Sequence, residues 1–338
     1  MATCPWWRRW PTGCTGLTAE RAGVRRYAPN PNAASNLAAP VPQDVRGALE
    51  FPLLPRTVPG EPDKTMTYCV AMQLDAGLVF LSDSRTNAGV DAISTARKMT
   101  VFEEPGDRVM VLLTAGNLAI SQSVRQCLAE ARDEKRSLWT ARDMFEAASI
   151  VGDAVRQVHK RDAHALRDAG IDFNVSLIFG GQIGGERVRL FNVYAAGNFV
   201  EAMPENCYFQ IGEAKYGKPI IDRVVHPSLP LGEAAKCALI SMDSTLKSNI
   251  SVGLPLDLLV YEADTLQVTH FVNIDERNAY FRMIRDTWGH RLRQVFGEIS
   301  DPEWDAKREA EFPLARTGEA DLWGQPVRAT RERSRTQD

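Results

Sequence analysis

The stretch TYCVAMQLDAGLVFLSD, residues 67–83, contains two mainly apolar runs separated by a short turn. In the first run, residues 68–74, large apolar side chains alternate with smaller or polar ones, which is the pattern of a β-strand. Residues 75–77, Asp-Ala-Gly, are typical of a tight turn, and residues 78–82 are nearly all apolar. The stretch therefore predicts an antiparallel hairpin whose two ends lie side by side.

Similar patterns predict further elements on the C-terminal side of this hairpin. Strands are predicted over residues 98–103, 109–114, 174–180, 187–195, 199–202, 208–211, 256–262 and 268–272. Helices are predicted over residues 118–132, 231–247 and 276–294. A further helix is predicted to begin at a cap formed by Thr140 and Asp143 and to continue to Val158. Strands in runs and helices in pairs favour an α+β fold over alternating βαβ units. A layered α-β-β-α sandwich fits this order, but periodicity alone does not select it.

The chain divides into three regions of different composition. Its 338 residues are 44% hydrophobic and 25% charged, as in a soluble globular protein. Residues 1–66 carry 10 of the 19 prolines and show no periodicity, so we interpret them as a disordered or artefactual leader. Residues 67–300 form the predicted folded domain, and residues 301–338 are predicted to be a charged C-terminal tail.

The composition argues against several classes of function. A net charge of -3 gives no reason to expect nucleic acid or an anionic membrane as a partner, and no apolar stretch is long enough for a membrane span. The six cysteines form no C-x-x-C pair and the five histidines are scattered, so neither a metal site nor a cofactor is predicted. The glycine-rich stretch 181–185 lies between two predicted strands, which favours a hairpin over a phosphate site. We expect a cytoplasmic protein.

The predicted hairpin begins at a threonine that can supply both a hydroxyl and an amine to a reaction. If the chain starts at Met66, removal of that methionine exposes Thr67 with a free α-amine, whose ordinary pKa is roughly 7.7–8.0. A threonine hydroxyl is a weak nucleophile until a base removes its proton, and the amine of the same residue can serve as that base. Thr67 is therefore a candidate nucleophile and general base in one residue.

Three further residues fit such a site. Asp83 ends the second strand of the hairpin, so antiparallel pairing returns it to the end of the sheet where Thr67 lies. Lys98 begins the next predicted strand, and a lysine ammonium near an amine lowers the pKa of that amine. Gly116 follows a strand and precedes a helix, where a backbone N–H can stabilise an oxyanion.

These residues also carry a family resemblance. The pattern Thr67-x15-Asp83-Ser-Arg-Thr-Asn-x-Gly89, followed by Lys98 and LTAG at residues 113–116, resembles the proteasome β-type peptidases. Residues 210–219 and 241–253 are most similar to a bacterial branch called Anbu, the ancestral β subunit. The resemblance covers about residues 67–300 and implies an α-β-β-α sandwich of the N-terminal-nucleophile (Ntn) hydrolase type. It also implies that Thr67 is nucleophile and base, that Asp83 and Lys98 activate it, and that Gly116 binds the oxyanion.

The chain departs from the family pattern in several places. Residues 213–215, Glu-Ala-Lys, stand where proteasome β subunits usually have a serine that helps to protonate the amine. The spacing from threonine to lysine is one residue shorter, and Met66 replaces the usual glycine before the threonine. This favours a start at Met66, with residues 1–65 as an upstream translation artefact; a retained leader would leave an amide and a dead site. Weaker candidates for supporting residues are Arg85, Asp243, Ser248 and Ser251.

The resemblance implies a threonine-type endopeptidase that cleaves peptides or unfolded proteins inside a homo-oligomeric ring or open ring. Two alternatives remain open at this point. One is a ring-forming scaffold with weak or no proteolytic activity, and the other is an Ntn amidase that acts on a small amide. The sequence contains no Walker-type loop, and it does not identify an ATPase partner.

Overall fold

The structure is a computed structural model that describes residues 67–87 and 93–302. The predicted leader, residues 1–66, and residues 303–338 of the predicted tail lie outside the described residues. Within the described part, none of the helices is long and apolar enough to cross a membrane.

The first of two five-stranded sheets contains the predicted hairpin. The strands are numbered along the chain, and this sheet consists of β1 (Tyr68–Leu74), β2 (Gly77–Asp83), β10 (Tyr208–Gly212), β11 (Leu256–Glu262) and β12 (His270–Ile274). Its spatial order is β10-β1-β2-β11-β12, and every neighbouring pair is antiparallel. The register pairs Cys69 with Ser82, so Thr67 and Asp83 lie at the same end of the hairpin, as predicted.

The second sheet has the order β5-β6-β7-β8-β9 and is also antiparallel. Its strands are β5 (Met99–Glu104), β6 (Arg108–Gly116), β7 (Val175–Ile183), β8 (Arg189–Val193) and β9 (Phe199–Glu201). A short ribbon, β3 (Arg85–Asn87) with β4 (Ile93–Thr95), joins the two sheets along the chain, and the sequence patterns did not predict it.

Helices cover the outer face of each sheet. On the second sheet lie α1 (Leu118–Glu130) and α2 (Met144–Asp168), and on the first lie α3 (Ala214–Val224), α4 (Leu231–Ser248) and α5 (Ala279–Glu298). The periodic stripe of α1 buries Ile120, Val124 and Leu128, because residues three or four apart share one helix face. The result is the four-layer α-β-β-α sandwich that the family resemblance implied.

A third apolar cluster fills the space between the two sheets. Alternate residues of β1 and β2, such as Cys69 and Phe80, meet Leu113 of β6 and Ile178 of β7 there, and all four are fully buried. Because side chains alternate across a strand, the same strands present their other residues to the helices. The two sheets are therefore held face to face by an apolar interior.

Two features of the helices differ from the sequence-based prediction. Helix α3 was not predicted, because Gly217 and Pro219 lie inside it and both disfavour a helix interior. The helix forms because Ile221 packs into the core and Gly217 lies directly against Ser241 of α4. Helix α2 is capped by Asp143, which accepts a 2.7 Å hydrogen bond from the Glu146 N–H, and not by a Thr140–Asp143 pair.

We predict that Ile178→Ala destabilises the sandwich strongly. Ile178 is 0% exposed between the sheets, and removal of a buried aliphatic side chain of this size costs about 2–5 kcal/mol of unfolding free energy. Ile171→Ala is the matched control, because Ile171 is 45% exposed and should change stability by no more than about 0.5 kcal/mol. Chemical denaturation measures both variants, and equal losses would contradict the assignment of this core.

Candidate active site

The site is built around Thr67, which precedes β1 and is 6% exposed. Its carbonyl oxygen accepts a 2.7 Å hydrogen bond from the Glu213 N–H, beyond the end of β10. Gly212, the last residue of β10, has φ +82°, and a Cβ at that position would lie 1.9 Å from the Thr67 carbonyl oxygen. Only glycine fits this approach, so the end of β10 determines where the Thr67 backbone lies.

A buried ion pair lies at the same end of the sheet. The Lys98 ammonium donates hydrogen bonds to Asp83 Oδ1 and to the Arg85 carbonyl, both at 2.7 Å. The side chains of Lys98 and Asp83 are 7% and 0% exposed. The structure therefore brings together the two residues that the sequence proposed as an activating pair. They come from different sheets, because Asp83 is the last residue of β2 in the first sheet and Lys98 precedes β5 of the second.

Backbone groups complete the surroundings of the Asp83 carboxylate. The Tyr68 N–H donates to Oδ1 at 3.1 Å, and the Gly253 N–H lies 3.4 Å from Oδ2. Burial raises the pKa of the Asp83 carboxyl, while the Lys98 ammonium and the two N–H groups act in the opposite direction. Since Tyr68 directly follows Thr67, the same carboxylate that binds Lys98 also fixes the start of β1.

Gly116 lies at the end of the neighbouring strand β6. Its φ is +102°, and a Cβ there would come within 2.5 Å of the Asn174 carbonyl oxygen. The next residue, Asn117, caps α1 by accepting from the Ala119 N–H at 3.0 Å, so Gly116 marks the turn from strand to helix. Strand β6 is anchored to the ion pair, because the Thr114 N–H donates to the Lys98 carbonyl at 3.0 Å.

The four weaker candidates occupy different places. The Arg85 guanidinium donates to the Ile250 carbonyl at 2.8 Å and lies against Gly253, so it holds the loop that follows α4. Ser251 belongs to this loop, whereas Ser248 is the exposed last residue of α4. Asp243, also in α4, lies 3.3 Å from Arg285 of α5. Arg85 therefore contacts the Asp83–Lys98 pair through its carbonyl, while the Asp243 carboxylate pairs with α5.

Sequence reasoning missed a polar network around the side chain of Tyr68, the first residue of β1. The Tyr68 hydroxyl lies 2.6 Å from Ser241 Oγ and accepts from Gln210 Nε2 at 2.5 Å. Burial raises the pKa of the Tyr68 hydroxyl, which therefore stays protonated near neutral pH. Alternation in β1 placed Tyr68 on one face of the strand, but nothing in the sequence linked it to α4 or β10. The network ties the residue after Thr67 to two other elements.

The described residues around Thr67 provide charged and hydrogen-bonding groups and no evident metal site. Among these residues, no group of three or more His, Cys, Asp or Glu side chains is placed to hold a metal ion. The Cys69 thiol lies in the apolar interior, where burial raises its pKa and disfavours the reactive thiolate. Thr67 directly precedes Tyr68, whose N–H donates to the Asp83 carboxylate of the buried pair.

Comparisons with known proteins identify the family. No protein-family model matches the chain, and no curated protein matches it. Among solved structures, Anbu (ancestral β-subunit) from Yersinia bercovieri is 51% identical, with a TM-score of 0.67, and the match covers 70% of this chain and 99% of that one.

Two further Anbu structures agree with this result. Anbu from Hyphomicrobium sp. strain MC1 is 50% identical, covers 70% of this chain and 100% of its own, and has a TM-score of 0.65. The helical assembly of the Anbu complex from Pseudomonas aeruginosa is 45% identical, with 71% and 100% coverage and a TM-score of 0.69. Identity at this level over nearly the whole length of each relative confirms the resemblance seen in the sequence. The chain belongs to the Anbu family of proteasome-like β subunits with the Ntn-hydrolase fold.

Proposed function

We propose that this protein is a threonine peptidase whose nucleophile is the hydroxyl of Thr67. The Oγ attacks the carbonyl carbon of a peptide bond while the α-amine of Thr67 accepts the hydroxyl proton. The tetrahedral intermediate collapses to an ester on Oγ, and the leaving amine takes the proton. Water then hydrolyses the ester and releases the acyl product. The scheme requires that Thr67 is the first residue of the mature chain.

The buried pair of Asp83 and Lys98 is the observation that carries this proposal. A lysine ammonium beside the nucleophile favours an alkoxide and keeps a nearby amine in its neutral, basic form. The 2.7 Å contact with Asp83 keeps the ammonium charged and in place, and the Tyr68 N–H ties that carboxylate to the chain next to Thr67. The position of the Asp83–Lys98 pair, next to the N-terminal end of β1, favours a role in catalysis over a role in stability alone.

Gly116 is the proposed oxyanion donor. Gly116 lies at the turn from β6 to α1, where the positive end of the α1 dipole favours a developing negative charge. Its position follows from β6, which is hydrogen-bonded to the strand that Lys98 precedes.

Self-association is the second part of the proposal. A relative that is 45% identical forms a helical assembly, which supports a homo-oligomer of this chain as well. An assembly of proteasome-like subunits would enclose the sites and restrict them to peptides and unfolded proteins.

One observation favours the alternative of an inactive scaffold. Glu213, between β10 and α3, and Lys215, in the first turn of α3, form a 3.4 Å ion pair where the family usually has a serine hydroxyl for the amine of the threonine. Acylation of Thr67 distinguishes the two functions, because a scaffold has no need of a reactive hydroxyl.

We expect a small β-lactone to acylate Thr67, since ring opening transfers the acyl group to Oγ and adds the whole mass of the lactone. Intact-mass and peptide-mapping spectrometry locate the adduct. Lys98→Met should slow acylation by at least about 100-fold, because a side chain that assists proton transfer typically contributes a factor of this size to the rate. Lys218→Ala is the control, because Lys218 forms an exposed ion pair with Asp222.

A slower acylation of Thr67 could result from unfolding as well as from loss of the lysine, so the experiment must separate the two. Lys98→Met leaves a buried carboxylate without its partner, which is strongly destabilising. The double variant Asp83→Asn with Lys98→Gln leaves no unpaired charge and should stay folded but unreactive. A wild-type rate of acylation in either variant would contradict the proposed role of the pair.

The position of the Thr67 backbone can be tested through Gly212. Gly212→Ala places a methyl group against the Thr67 carbonyl and must displace the Thr67 backbone. We expect the rate of acylation to fall by at least about tenfold, because the rate depends on the position of the reacting group. Gly106→Ala is a matched control, because Gly106 has φ +83° but no atom within 4 Å of an added Cβ. Both variants carry the same backbone strain, of order 1 kcal/mol, and only the first should lose reactivity.

The rate of acylation should also depend on pH. Below its pKa the α-amine is protonated and cannot accept the hydroxyl proton, so the rate should fall as the pH falls. We expect the inflection at or below about 8, because the Lys98 ammonium lowers the pKa of a nearby amine. A rate that is independent of pH between 5.5 and about 9 would mean that the amine is not the base.

A further inference from the structure

The side chain of Tyr68, the residue after Thr67, is buried in the apolar cluster between the first sheet and its covering helices. The next residue, Cys69, belongs to the cluster between the two sheets, so the Tyr68 side chain lies on the face of β1 that is turned away from the second sheet. A phenylalanine would bury the same ring without the cost of removing a hydroxyl from water. The hydroxyl of Tyr68 therefore calls for an explanation beyond packing.

Two other elements provide hydrogen-bond partners for this hydroxyl. Ser241 Oγ of α4 lies 2.6 Å away, and Gln210 Nε2 of β10 donates to the Tyr68 oxygen at 2.5 Å. Because the oxygen accepts a proton from Gln210, the hydroxyl proton is available to Ser241 Oγ, and both hydrogen-bonding capacities of the phenol are used. Tyr68 and Ser241 are 0% exposed, so these contacts form away from water and are specific in direction.

Helix α3 is also adapted to this hydroxyl. A Cβ at Gly217 would lie 2.1 Å from Ser241 Oγ and 2.7 Å from the Tyr68 hydroxyl. A larger residue would hold α3 away from the network, which explains why a residue that disfavours helix interiors is placed there. Three elements, β10, α3 and α4, thus each contribute a suitable residue to the surroundings of one hydroxyl.

The network supplies a third anchor for the peptide unit that joins Thr67 to Tyr68. The carbonyl of this unit accepts from the Glu213 N–H at 2.7 Å, and its N–H donates to Asp83 Oδ1 at 3.1 Å. Two hydrogen bonds on opposite sides of one peptide unit still leave it able to rotate about the line that joins them. Fixing the Tyr68 hydroxyl removes that rotation, which would otherwise change the direction of the Thr67 side chain.

We propose that the hydroxyl of Tyr68 is a positioning group for the nucleophile, because its hydrogen bonds with Ser241 and Gln210 hold Thr67 in the orientation from which its Oγ reacts. This inference rests on the proposed function of Thr67. Tyr68 does not take part in the reaction, and it acts only through the backbone of the neighbouring residue.

Tyr68→Phe tests this role in the full chain with the β-lactone as the probe. We expect the limiting rate of acylation, per folded molecule and at saturating lactone, to fall by at least about tenfold, because the reacting group is misplaced. The lactone concentration that gives half of this rate should stay within about twofold of wild type. The pH of the inflection should not move, since the charged groups around the amine of Thr67 are unchanged.

Tyr261→Phe is the matched control. Tyr261 lies in β11 of the same sheet, is also 0% exposed, and donates its hydroxyl proton to Gln182 Oε1 at 2.7 Å. It pairs with Leu78, at the end of the hairpin remote from Thr67. Both variants lose one buried hydroxyl and should lose similar stability in chemical denaturation, but Tyr261→Phe should be acylated within about twofold of the wild-type rate. Equal limiting rates in the two variants would overturn the proposal.

A second variant covers the case in which Tyr68→Phe does not fold, since it leaves Ser241 and Gln210 without their partner. The triple variant Tyr68→Phe, Ser241→Ala and Gln210→Met replaces the whole network by apolar groups, which removes that penalty. It should be folded and acylated at least about tenfold more slowly than wild type. A wild-type limiting rate in this variant would also overturn the proposal.

Failure of the peptidase proposal is recognised separately, because wild-type protein would then not be acylated at all. Crystal structures decide the positioning role in that case as well. The Thr67 Cα should be displaced by at least about 0.5 Å in the triple variant and should keep its wild-type position in Tyr261→Phe. An undisplaced Thr67 in the triple variant would overturn the inference, whatever the reactivity of the threonine.

Discussion

The hydrogen-bonded ion pair between Asp83 and Lys98 is the interaction on which the rest of the site depends. It joins the end of β2 in one sheet to the residue before β5 in the other, across an apolar interior. Two charges buried in such a place are tolerated only as a pair, because either one alone would be left without solvation. The Asp83 carboxylate also accepts the Tyr68 N–H, so the strand that starts after Thr67 is fixed to the same point.

Backbone packing then places Thr67 beside this pair with little freedom. Gly212 approaches the Thr67 carbonyl more closely than any residue with a Cβ would allow, and Glu213 donates to the same oxygen. The hydroxyl of the next residue, Tyr68, is hydrogen-bonded to the side chains of Ser241 and Gln210. Three separate segments therefore determine the position of the Thr67 backbone, which is the preorganisation that the proposed nucleophile needs.

The sequence predicted those parts of the site that follow from local pattern. Period-two alternation and the turn at residues 75–77 predicted the hairpin, and antiparallel geometry alone returned Asp83 to the level of Thr67. Lys98 and Gly116 became candidates because each lies at a strand end, and their roles stay predictions. The Gly253 N–H was not found, because its place depends on the path of the loop between α4 and β11. Helix α3 was missed because contacts with Ser241 and the core outweigh the poor propensities of Gly217 and Pro219. The periodicity of α5 was visible, but only the structure shows that its buried residues, Phe281 and Ile284, both lie in its N-terminal part.

The central claim is that the nucleophile and its base belong to one residue, which requires a free amine on Thr67. Intact-mass and N-terminal peptide spectrometry of the protein purified from its natural host, without a tag, measures this directly. We expect a mature chain whose first residue is Thr67. A chain in which the Thr67 nitrogen remains bonded to Met66 would contradict it, whatever the fold and the ion pair.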